Sequence, residues 1–148
     1  MTPNDSPSPT IIVATLAAAA TTGALIAIGH RLGGATLPFA VIGGALLHRT
    51  ASGVAFGLVL TGFIAHVVAV FAWSAIAVWL VRVRRWRLWL AAISVALAAH
   101  LFAWIDAWWT GRGLASVLPL GDRLLLAVVF AGALILGMRF APSLSQTA

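Results

Sequence analysis

Two long apolar segments joined by a short, arginine-rich turn constrain the fold more than any other feature of the sequence. The segments cover about 51–81 and 87–109. Each is long enough to cross about 30 Å of hydrocarbon as an α-helix. The turn between them carries four basic side chains, Arg82, Arg84, Arg85 and Arg87. The pattern predicts a transmembrane hairpin.

The composition extends this prediction to the whole chain. The 148 residues are 62% hydrophobic and only 8% charged, which lies outside the range of soluble domains. At roughly 20 residues per spanning helix, the length allows about four crossings and no separate soluble domain. Two further apolar segments, at about 11–29 and 122–140, complete the four. The sequence therefore predicts an all-α, polytopic membrane helix bundle that forms one domain over residues 11–140.

The remaining segments are too short or too polar to cross a bilayer. Residues 1–10 are rich in proline and polar side chains and are predicted to form a disordered tail, and residues 141–148 a mobile one. Residues 35–48 are apolar but are interrupted by Pro38 and by a glycine pair. This segment is predicted to be interfacial or re-entrant, and a fifth crossing is the weaker alternative.

The arginines predict how the bundle is oriented. Basic residues concentrate on the cytoplasmic side of membrane proteins, so the four-arginine turn is placed in the cytoplasm, where it meets anionic lipid headgroups. Four crossings then put both termini on the same side, in a bacterial inner membrane. The arginines of the opposite connections oppose this orientation, but they are scattered: Arg31, Arg49, Arg112 and Arg123.

Several functional classes find no support in the sequence. A net charge of +6 would favour nucleic acid in a soluble chain, but topology already explains these arginines. Cysteine and glutamate are absent, which removes thiolate chemistry and the glutamate on which small multidrug exporters depend. No hydrolase, phosphate-loop or zinc-protease motif occurs. We expect a non-enzymatic protein without a metal site, and a small transporter is a further alternative.

Two histidines are the sharpest functional candidates. His66 and His100 lie at equal sequence distances on either side of Val83. If the two helices are antiparallel neighbours, both imidazoles lie at similar depth, as a bis-histidine haem b requires. Structural hydrogen bonding across a helix interface is the first interpretation, and no cofactor is expected from it. The alternative is an electron-transfer subunit that holds haem b or contacts a quinone.

Small and charged residues supply the other candidates. Gly53, Gly57 and Thr61 have the helical spacing of a packing stripe, which predicts contact within the chain or with a second copy. The leading functional prediction is therefore a structural or accessory role in a homo-oligomer or a larger membrane complex. Asp106 is predicted to pair with an arginine of the same side such as Arg112, or else to form one wall of a small polar pocket.

The C-terminal segment carries two further expectations. Asp122 is predicted to cap the last helix by accepting hydrogen bonds from its first amides. From Trp104 to Ala141, where Asp106 precedes Trp108 and Trp109 and LPLGDRLLLAVVFAGALILGMRFA follows, the chain loosely resembles small bacterial multi-pass membrane proteins of unknown function. The resemblance covers roughly a quarter of the chain and implies no activity.

Overall fold

The computed structural model describes residues 8–49 and 55–141, and this part of the chain is all-helical. The helices are α1 Pro9–Arg31, α2 Leu37–Leu46, α3 Phe56–Arg82, α4 Leu88–Thr110, α5 Leu114–Val117 and α6 Leu120–Phe140. Four of them, α1, α3, α4 and α6, are long and apolar enough to cross a membrane. The predicted membrane helix bundle is confirmed, and the length and composition of its helices are those of a small integral membrane protein.

Two helix starts differ from the sequence prediction. The sequence predicts a tail up to residue 10, but Pro9 and Thr10 form the first turn of α1, because a proline is well tolerated where no intrahelical amide bond is needed. Helix α6 begins at Leu120, with Pro119 in the capping position. Asp122 therefore lies inside the first turn and makes no cap; its carboxylate is ion-paired with Arg31 at the end of α1.

Helix α1 lies between α3 and α6 in the bundle. It packs against both α3 and α6, and α4 packs against α3 and α6 in turn. Near the beginning of α1, a side chain added to Gly137 of α6 would lie 2.8 Å from the Cα atom of Val13. The two backbones are thus in direct contact. Leu134 and Met138, one helical turn apart on α6, are fully buried in the same core.

The short helix α2 lies on the first part of α3, with the two chains antiparallel. A Cβ atom added to Gly62 would overlap the carbonyl oxygen of Phe39, and one added to Gly43 would overlap that of Leu58. Only glycine permits this close approach of two backbones. Helix α2 is therefore fixed against α3 by main-chain contact.

This contact corrects the predicted packing stripe. Gly57 is exposed, and a Cβ atom added there would meet nothing within 4 Å, so packing within the chain uses Gly62 instead. Thr61 is half-buried, and Gly53 lies outside the described residues. The packing of Gly57 against a second copy stays a prediction.

The arginine turn, residues 82–87, closes one end of the α3–α4 hairpin. All four of its arginines are exposed, and Arg85 has a positive φ of 56°, which reverses the chain within a few residues. Tryptophans at this end are about half exposed: Trp79, Trp86 and Trp89. Tryptophan prefers the headgroup level of a bilayer, so these residues mark one membrane boundary, and the end of α4 with Trp108 and Trp109 marks the other.

Candidate functional site

His66 lies where α1, α2 and α3 meet. It is about 15 Å along α3 from the start of that helix, at 1.5 Å per residue, and it is half-buried. Its Nε2 atom is 3.1 Å from the hydroxyl oxygen of Thr21 on α1. The ring of Phe39 on α2 meets the imidazole edge-on, with the ring centres 6.0 Å apart. The three helices thus hold the imidazole in one orientation.

The hydrogen bonds of Thr21 define the direction of the His66 contact. The Thr21 side chain is buried, and its hydroxyl donates to the carbonyl oxygen of Ala17 at 2.8 Å. A hydroxyl has a single proton, which we place on the shorter bond to Ala17; towards His66 the same oxygen then acts as acceptor, and this assigns Nε2–H of His66 as the donor. In neutral imidazole the other nitrogen then carries a lone pair. Nδ1 of His66 is therefore a hydrogen-bond acceptor.

A cleft of about 750 Å³ opens between α2, α3 and the end of α4. Its apolar wall is formed mainly by small side chains, among them Ala45, Ala65 and Ala69. We call it the polar cleft because of its remaining lining, which comprises His48, His66, Asp106, Trp109, Thr110 and Arg112. Of these polar residues, His66 is half-buried and the others are exposed. The cleft therefore has a polar rim and reaches inward to His66.

The rim of the cleft is organised by Arg112. Its Nη1 atom donates a hydrogen bond to Nδ1 of His48 at 2.7 Å, and its backbone amide donates to the hydroxyl of Thr110 at 3.2 Å. That hydroxyl donates to the backbone carbonyl of Asp106 at 2.7 Å. These bonds tie the end of α4 to the segment that follows α2.

Asp106 and Arg112 line the same cleft, but the predicted ion pair between them is absent. Arg112 is bound to His48, and Arg31 is bound to Asp122. Within the described residues, the carboxylate of Asp106 makes no hydrogen bond or ion pair. The predicted ion pair of Asp106 is therefore wrong, and two of its expected partners, Arg112 and Arg31, bind other side chains instead. Its carboxylate is free at the rim.

His100 is not brought into this site. It is half-buried on α4 and is not part of the cleft lining. Within the part of the chain that the structure describes, it makes no hydrogen bond or ring contact, whereas His66 faces α1 and α2. The same residues contain no group of three or more side chains suited to a metal ion. Nothing in this geometry favours paired haem ligation.

Sequence reasoning missed Thr21, Phe39 and His48 as partners of the site. Thr21 stands in a run of small residues and carries no signal beyond helix packing. His48 directly follows an apolar segment and looks like an interfacial residue. Their roles depend on which helices are neighbours, which one sequence does not show.

No protein-family model, curated protein or solved structure matches this chain. The function is therefore inferred from the geometry of the polar cleft.

Proposed function

We propose that this chain is a non-enzymatic, accessory integral membrane protein that binds an amphipathic, lipid-soluble small molecule in the polar cleft. The observation that carries the proposal is the convergence of His66, Asp106 and Arg112 on one cleft from separate parts of the chain. Of these three, His66 is the half-buried one on a spanning helix, and an ionisable side chain at such a position is costly and is usually retained for a purpose.

The shape of the cleft supports an amphipathic ligand. Its volume of about 750 Å³ falls in the usual range for small-molecule sites, which are largely apolar with a few polar groups. The alanines of its wall leave space for a flat or branched apolar body. The exposed indole of Trp109 and the charged rim favour a polar head near the membrane surface.

Filling the cleft tests this proposal directly. In lipid nanodiscs, Ala65→Phe should weaken binding of alkyl-substituted hydroquinones and quinones, because the larger side chain occupies the wall of the cleft. Ala98→Phe is the matched control, since Ala98 lies on an exposed face of α4. Binding is measured with radiolabelled probes. Equal binding to both variants, or no saturable binding to the parent protein, would refute the proposal.

Self-association is a second candidate, favoured by the open face at Gly57. A glycine with no neighbour within 4 Å allows another helix to approach closely. We propose that a second copy or a membrane partner packs there. Gly57→Leu should then convert a dimer in mild detergent to a monomer, as judged by light scattering. A parent protein that is already monomeric would contradict this candidate.

A further inference from the structure

We propose that the polar cleft selects ligands that donate a hydrogen bond at its inner end, which points to lipid-soluble hydroquinones and phenols rather than to the corresponding quinones. This inference rests on the proposed function, because it specifies the ligand of that same cleft.

The single proton of the Thr21 hydroxyl sets the direction of the hydrogen bonds at His66. The hydroxyl of Thr21 donates to Ala17 and accepts from Nε2–H of His66. Reversing the second bond would require breaking the first, because the hydroxyl has one proton. Nδ1 has no partner within the described residues, and it is not among their fully buried, unpartnered atoms. It is an accessible acceptor.

The inner end of the cleft and its rim differ in how easily water replaces a ligand. The carboxylate of Asp106, at the rim, is a second free acceptor. The donors of the cleft, on Arg112, His48 and Trp109, are exposed and therefore accessible to water. Half-buried His66 is less able to replace a lost partner by water, and an unsatisfied group at such a position is costly. A ligand that donates a hydrogen bond at the inner end of the cleft therefore gains more binding free energy than one that donates only at the rim.

The charge of that donor matters as well. An ammonium group also donates, but carrying a full charge about halfway into a membrane helix is expensive. A hydroxyl donates without charge. An aromatic hydroxyl additionally has a flat body, which suits a wall of alanines. Phenols and hydroquinones combine these properties.

The test uses three probes that share one alkyl-substituted ring: the hydroquinone, its dimethyl ether and the quinone. Saturation binding is measured with the radiolabelled probes on the parent protein in nanodiscs. We expect the hydroquinone to bind roughly three- to tenfold more tightly than either analogue, the range that one hydrogen bond provides. Equal affinity for the hydroquinone and the ether, or tighter binding of the quinone, would overturn the inference while leaving the proposed function intact. Absence of binding by all three would remove both.

Two substitutions by amide side chains distinguish the roles of the two imidazole nitrogens of His66. Glutamine places its amide near the position of Nε2 and can still donate to Thr21, whereas asparagine places its amide oxygen near the position of Nδ1. We expect His66→Gln to lose the preference for the hydroquinone and His66→Asn to retain it. The opposite order would contradict the role assigned to Nδ1.

Thr21 is a positioning residue in this proposal, since it acts on the ligand through His66. Thr21→Val removes the hydroxyl with little change in shape and frees the imidazole to present either nitrogen as donor. The ratio of hydroquinone to quinone affinity should then fall towards one, whereas Thr21→Ser should preserve it. A purely structural role for Thr21 would weaken all three probes equally and leave that ratio unchanged, which would refute the proposal.

Discussion

Replacing Gly62 by alanine should destabilise the bundle, although alanine is the better helix former. The added methyl group overlaps the carbonyl oxygen of Phe39, so α2 and α3 must separate by on the order of 1 Å to restore normal contact distances. Overpacking of this kind costs about 1–3 kcal/mol. A backbone atom has no alternative rotamer, which favours the upper part of that range. Higher helix propensity returns about 1 kcal/mol, which leaves a net loss of about 1–2 kcal/mol.

Gly23→Ala is the matched control for Gly62→Ala, because it makes the same chemical change inside a spanning helix, at an exposed position where the added Cβ atom meets nothing within 4 Å. It should be neutral or stabilising by up to about 1 kcal/mol. Reversible unfolding in mixed detergent and SDS micelles, followed by circular dichroism, gives both free energies of unfolding. Gly43→Ala should resemble Gly62→Ala, and the double variant should lose less than the sum, since one displacement relieves both overlaps. A Gly62→Ala protein as stable as Gly23→Ala would refute the close backbone contact.

Three further predictions concern the ends of the bundle and its cofactor content. Exchanging the charges of Arg31 and Asp122 should restore most of the stability lost in either single reversal. The coupling free energy should not exceed about 1 kcal/mol, because the Arg31 side chain is 61% exposed. A double-variant cycle measures this coupling, and zero coupling would show that the pair is not formed. The chain contains no native cysteine, so a single introduced cysteine reports its own side of the membrane. In intact cells, Val83→Cys in the arginine turn should not react with an impermeant maleimide, whereas Ser116→Cys beyond α4 should react. The reverse pattern would invert the predicted orientation. Protein produced with added haem should show no Soret band, and a band that is lost in His66→Ala would contradict this expectation.

The spanning helices could be predicted from the sequence because they depend on the length and hydrophobicity of a continuous segment. Hydrophobic length against bilayer thickness identifies a spanning helix without knowledge of its neighbours. The arginine turn could be located for the same reason, since charge and exposure go together. The differences at Pro9 and Leu120 are confined to the first helical turns, where ends are least determined by composition.

The rotation of each helix could not be predicted, and the polar cleft depends on it. The spanning helices are apolar on nearly every face, so the pattern does not show which face is turned inward. The equal spacing of His66 and His100 about Val83 concerns position along the helices, whereas the observed partners of His66 lie on α1 and α2. The contact surface of α3 at Gly62 instead of Gly57 has the same cause.

The direct contact between Val13 and Gly137 has a consequence for the order of assembly. These residues are roughly 120 positions apart in sequence, and such long-range contacts form late because a large loop must close first. Thr21 and His66 belong to the first half of the chain, so their contact is available before α6 has been synthesised. We therefore expect the imidazole to be oriented before the last helix inserts and covers the face of α1 at Val13.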